Sequence, residues 1–165
     1  MNRYIFALML IPAFVSANGS VPPKVTNAAQ DCSSSYEAKD YARAREVCMT
    51  AAEAGNSQAR YLLGRMYEEG EGVAKDTASA VKWYRLAAES GHATSQRRLA
   101  GAYYKGLGVE KDEAQAVRWL QQAANNGDTR AQKQLAVGYE WGIGGLPRDA
   151  KLARQWRERA EKNPH

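Results

Sequence analysis

Few residues of this chain have the chemistry to make or break bonds. Cys32, Cys48, His92 and His165 are all the thiol and imidazole groups in 165 residues. Two cysteines allow one disulfide and no four-cysteine zinc site, and no Cys-x-x-Cys spacing suggests redox turnover. His92 has no second His at ligand spacing and reads as a surface residue at a turn. Glu68 with Glu69, and Asp112 with Glu113, are adjacent acids at expected helix ends, where they are solvated and do not form a buried acid/base pair. Gly70-Glu71-Gly72 and Gly106-Leu107-Gly108 have the composition of phosphate-cradling loops. No strand precedes them and an Asp follows, so they read as turns. The chain carries no His-Glu-x-x-His, Gly-x-Ser-x-Gly or P-loop pattern. The expectation is a chain with no catalytic residues, no metal and no cofactor.

The composition is that of an ordinary globular protein, with 44% hydrophobic and 25% charged residues. The 23 Lys and Arg against 18 Asp and Glu leave a net charge of +5. The two signs are interleaved along the chain, so most single charges read as solvated faces. Arg3, the apolar run from Tyr4 to Val15 broken by Pro12, and the small residues Ser16 and Ala17 have the layout of a secretory signal peptide over 1–17, cleaved after Ala17. The run is too short for a permanent membrane helix. Residues 18–30, with Gly19 and the Pro22-Pro23 pair, read as a flexible segment. The expected location is periplasmic or secreted, with no stable membrane insertion after cleavage. Such a chain does not meet nucleic acid. An acidic protein, an anionic envelope polymer or a lipid headgroup fits its charge.

The rest of the chain repeats. Leu63, Leu99 and Leu135 recur at an interval of 36 residues, as do Tyr67, Tyr103 and Tyr139, and Gly70, Gly106 and Gly142. Gly72, Gly108 and Gly144 follow the same step, and the third copy gains one loop residue, so that Asp76 and Asp112 find their counterpart in Asp149. Trp83, Trp119 and Trp156 then match. Each unit reads as two helices. The first spans 57–69, 93–105 and 129–141, with its apolar face at i, i+4 and i+8, as in Ala59, Leu63 and Tyr67. A Gly ends each first helix, and an Asp caps each second helix, over 77–89, 113–125 and 150–162. An N-terminal partial unit, with a short helix over 31–38 and Asp40 as the next cap, reads as a capping hairpin. The domain is expected over 31–162, with the cap at 31–54 and repeats at 55–90, 91–126 and 127–162.

This pattern resembles the Sel1-like repeat family, a branch of the tetratricopeptide-like α-solenoids. The clearest stretches run from Ala59 through Val73 and from Asp76 through Ala88. The resemblance implies an all-α fold, a right-handed α-solenoid of antiparallel helix hairpins. Cys32 and Cys48 fall at the positions of Leu63 and Tyr84 within the cap, and an oxidising compartment would join them in a disulfide. In this family's architecture the first helices line a concave surface, which implies a groove bearing Leu62, Arg65, Arg98, Lys105, Gln134 and Trp141. Trp141 has charged counterparts, so it reads either as an exposed binding anchor or as packing on the loop from Gly142 to Leu146. Relatives act as adaptors, regulators and secretion-linked proteins. The implied function is non-catalytic binding of a partner protein by a monomer, with an immunity role against a secreted effector such as a lipase as a narrower version. A polymer-binding scaffold, and a hydrolase of the type proposed for cysteine-rich relatives, are the other readings.

Overall fold

The computed structural model describes residues 27–162. Among the described residues there are eight helices and no strand: α1 (Ala28–Glu37), α2 (Tyr41–Glu53), α3 (Ser57–Glu69), α4 (Thr77–Glu89), α5 (Ala93–Lys105), α6 (Glu113–Asn125), α7 (Thr129–Trp141) and α8 (Ala150–Lys162). The spans of α3 to α8 are those the repeat spacing predicts. Local chemistry explains their ends. The side chains of Asp40, Asn56, Asp76, Asp112 and Asp128 each accept a hydrogen bond from a first-turn amide of the helix they precede, which satisfies a donor that has no partner within the helix. Asp149 does the same for α8, accepting from the amides of Lys151 and Leu152 at 2.9 Å. At the other end α3, α5 and α7 stop at Gly70, Gly106 and Gly142 in the left-handed conformation.

α1 departs from expectation. It begins at Ala28 because Asn27 caps it, its Oδ1 accepting from the Ala29 amide at 3.2 Å. Residues 28–30 are therefore helical and do not belong to a flexible segment. The leader proposed over 1–17 lies outside the described residues.

Each helix packs on its neighbours in the chain, and α1 also reaches α3. The core is divided along the stack. One cluster lies under the cap around Cys32, Cys48, Leu63 and Met66; the next holds Val81, Leu99 and Tyr103; the last holds Leu135, Tyr139 and Leu146. Leu63, Leu99 and Leu135 are wholly buried, so truncating any of them to Ala is expected to cost about 2–5 kcal/mol. Cys32 and Cys48 are wholly buried too, and their sulfurs are bonded, joining α1 to α2.

Polar bonds tie one repeat to the next. Gln96 donates to the Ala88 carbonyl at 3.0 Å and Gln132 to that of Ala124 at 2.9 Å, both from buried side chains. Arg60, at the equivalent position, donates to Ala52 at 3.1 Å and to Ser90 Oγ at 2.9 Å. These carbonyls lie in the last turn of a second helix, where they also accept from the amides of Gly55, Gly91 and Gly127 just past its end.

The Gly-x-Gly loops dock on the preceding repeat. A Cβ on Gly108 would lie 2.5 Å from the Thr77 carbonyl oxygen, and one on Gly72 would lie 2.7 Å from Tyr41 Cβ. Thr77 and Tyr41 open α4 and α2. In the third copy the residue that meets the first turn of α6 is Gly145, against Glu113 and Val117, whereas nothing lies within 4 Å of a Cβ on Gly144. The added residue has moved this contact one place along, so Gly145 and not Gly144 is the working counterpart of Gly72 and Gly108. The same loop brings Leu146 over Gly138, whose missing side chain leaves room for it.

Candidate functional site

The main cavity is an open groove of about 650 Å³. Its walls come from α5 and α7, from α4 and α6, from Glu68 at the end of α3, and from the loops after α5 and α7. Val81, Ala116, Val117, Leu120 and Leu146 make most of the interior apolar. Four large apolar side chains that line it are exposed: Tyr104 (47%), Leu107 (51%), Val137 (46%) and Ile143 (54%). Exposed apolar side chains gathered in one concavity are unusual for a surface without a partner.

The charged lining is one-sided. Arg97, Arg98, Lys105 and Lys133 face a single carboxylate, Glu68. Glu68 is already engaged: Tyr84 donates to its Oε2 at 2.5 Å and Arg98 at 2.9 Å. Burial, and then the bond to Glu68, push the Tyr84 phenol well above its ordinary pKa, so it remains a donor. Burial opposes the charge on Arg98, but Glu68 and the nearby phenols outweigh it and raise its pKa. Arg98 Nε is buried with no hydrogen-bond partner. Arg97 is tied outward, its Nε donating to both oxygens of Asp128 at 2.9 and 3.0 Å. Lys105 and Lys133 are exposed and make no ion pair among the described residues.

Of the six residues expected on a concave face, Arg98, Lys105 and Gln134 line this groove together. Leu62 does not, and that expectation is corrected: it is 5% exposed and belongs to the core under the cap, because α1 packs across α3. Arg65 is turned toward the cap, its guanidinium 5.3 Å from the centre of the Tyr36 ring, and does not line the groove. Trp141 is 66% exposed at the end of α7, outside the cavity walls. It is not packed beneath the neighbouring loop.

The cap also engages the turn of the first repeat. Tyr36 donates to Glu71 Oε2 at 2.5 Å and Tyr41 to Oε1 at 2.8 Å. Burial works against the Glu71 carboxylate, but the bonds from Tyr36 and Tyr41, with Arg65 and Lys39 near, hold its pKa below the ordinary value. Leu107 and Ile143 occupy the position of Glu71 in the next two repeats, and there they stay open to solvent. Both were missed as site residues. The signal was present, since the middle residue of the Gly-x-Gly turn changes from acid to aliphatic between copies. Tyr104 was missed too, although its counterparts are Glu68 and Glu140.

His92 is structural. It caps α5, its Nδ1 accepting from the Ser95 amide at 3.2 Å, while Nε2 lies 3.1 Å from Gln58 Oε1. Among the described residues no group of three His, Cys, Asp or Glu side chains could hold a metal ion. No helix among them is long and apolar enough to cross a membrane.

Comparison with known proteins agrees with this architecture. The family profile described as Sel1 repeat matches residues 57–92, 93–128 and 129–165. No curated protein sequence matches the chain. Among solved structures, a Sel1 repeat protein from Oxalobacter formigenes is similar at 34% identity and a TM-score of 0.78, over 84% of this chain and 55% of its own. A protective antigen present in uropathogenic Escherichia coli strains, displaying an SLR fold, is similar at 37% identity and a TM-score of 0.69, over 76% of this chain and 27% of its own. The chain thus spans about half of the first and about a quarter of the second. With three matched repeats and two such neighbours, the chain belongs to the Sel1 repeat family.

Proposed function

We propose that this protein is a periplasmic or secreted, non-catalytic binding protein that holds a partner protein in the groove between α5 and α7. The observation that carries this reading is the cluster of Tyr104, Leu107, Val137 and Ile143, four exposed apolar side chains lining one concavity. About half of each remains open to water, and covering that apolar area would favour association. Catalysis finds little support in this groove, where Glu68 is bonded to Tyr84 and Arg98 and the remaining charges are cations. Export is supported by the apolar leader over 1–17 and by the buried Cys32–Cys48 bridge, a bond that persists in oxidising compartments. Likeness to an antigen of Escherichia coli agrees with it.

The test is affinity capture from envelope extract with wild-type protein and with the double variant Lys105→Glu/Lys133→Glu. Both lysines are exposed and unpaired, so reversal leaves the fold intact. A stoichiometric partner held by the wild type and lost by the variant is the expected result. A partner held equally by both removes the groove from the function.

A further inference from the structure

Gly101 sits inside α5, one turn before its last residue Lys105. Gly there weakens a helix relative to Ala, because it loses more backbone freedom on folding. The other two mid-helix glycines have packing reasons. A Cβ on Gly64 would lie 2.5 Å from the Tyr84 ring, and one on Gly138 would lie 2.6 Å from Leu146 Cδ1. Gly101 has no such reason, since nothing lies within 4 Å of its Cβ position. It lines the groove, and its counterparts in the neighbouring repeats are Arg65 and Val137. The molecule thus carries a helix-weakening residue in the groove wall, where the space beside the α5 backbone is open among the described residues.

We propose that this opening is a seat for one bulky apolar anchor side chain, carried by an acidic segment of the partner protein. This rests on the groove reading and names the chemistry that the groove selects. A glycine without packing duty is used where another group must approach the backbone closely. Around it the exposed apolar groups and the cations alternate along the helices: Arg98, Tyr104 and Lys105 on α5, then Lys133 and Val137 on α7. An acyl lipid would need an apolar shaft with its cations gathered at one end. The alternation instead complements a peptide whose acids flank an apolar anchor. Among the described residues Lys105 and Lys133 make no ion pair, and Arg98, which holds Glu68 through Nη1, keeps its Nε unpartnered in the same wall.

The probes are fluorescein-labelled synthetic peptides carrying a single Leu, Phe or Trp between Asp and Glu residues. Matched peptides carry Lys flanks, or Ala in place of the anchor. Anisotropy gives affinity, and amide NMR shifts locate the peptide on the full chain. The acidic anchored peptides are expected to bind, to shift the amides around Gly101, and to exceed both controls by roughly tenfold or more. Gly101→Leu fills the seat and should abolish this preference. Gly101→Ala should raise Tm by about 1–4 °C while weakening binding several-fold, a pairing that a purely structural glycine would not produce. Equal binding to wild type and Gly101→Leu overturns the seat. So does binding of dodecanoate at these amides when no peptide binds. If the captured partner is lost by Lys105→Glu/Lys133→Glu but kept by Gly101→Leu, the seat fails while the groove reading stands.

Discussion

His92 does work at the residue scale that Asn56 and Asp128 do in the adjacent repeats, and it can do so only when neutral. Its Nδ1 must accept from the Ser95 amide, and a proton there would remove the acceptor and place a positive charge at a helix N-terminus. Burial lowers its pKa below the ordinary 6.5, with Asp128 opposing the shift. A depressed His pKa means that the unfolded chain takes up the proton first. The associated stability is complete above 6.5 and is lost as pH falls through 6.5 toward the folded-state value. Urea unfolding should therefore show stability declining as pH falls below about 6.5. His92→Asn keeps the cap and should flatten that profile, whereas His92→Ala should cost about 0.5–2 kcal/mol at neutral pH. Gly108 and Gly144 offer a second residue-scale test. Both hold a positive φ, 69° and 68°, but only a Cβ on Gly108 would meet backbone. Gly144→Ala should cost about 1 kcal/mol, and Gly108→Ala about 3 kcal/mol, because clash is added to strain.

Helices α1 and α2 show what an element contributes beyond its own contacts. They cover Leu62, turn Arg65 onto Tyr36, and hold Glu71 with two phenols. The groove thereby takes from the first full repeat only Glu68 at the end of α3 and the face of α4, and no residue of the cap. The Cys32–Cys48 bond links this hairpin across a sequence separation of 16. Reducing it should lower unfolding free energy by about 3 kcal/mol in the chain-entropy account. Chemical denaturation with and without reductant measures that difference, and Cys32→Ser/Cys48→Ser should match the reduced form. Glu68 joins α3 to α4 and α5 through Tyr84 and Arg98. Glu68→Gln should cost about 1–3 kcal/mol, since it weakens two bonds to a charged acceptor.

On the scale of the whole molecule, the groove has an excess of cations: Arg97 and Arg98 are paired with Asp128 and Glu68, while Lys105 and Lys133 are exposed with no ion pair among the described residues. Association with an acidic partner should therefore be steered by charge and weaken as salt rises, with Kd increasing several-fold between about 0.05 and 0.3 M. The dependence should be shallower for Lys105→Glu/Lys133→Glu, and titration calorimetry across that salt range measures it.

The helices, their ends and the repeat were legible because each rests on short-range chemistry. Caps such as Asp76 and Asp112, the turn glycines, and the spacing of Leu63, Leu99 and Leu135 act within a few residues or within one hairpin, and a linear pattern records them. The cysteine pair was legible for the same reason, lying in one hairpin. The site was only partly legible. Arg98, Lys105 and Gln134 follow from the repeat register, but Leu62 has that register and is buried, because a helix more than twenty residues earlier in the chain lies across it. The added residue before Leu146 moved a loop contact from Gly144 to Gly145, a choice made by the fit against α6. Whether Gly101 fills a tight contact or leaves an opening also depends on atoms from other helices. Position within a repeat is local information, whereas exposure depends on which neighbours arrive, and these come from elsewhere in the chain.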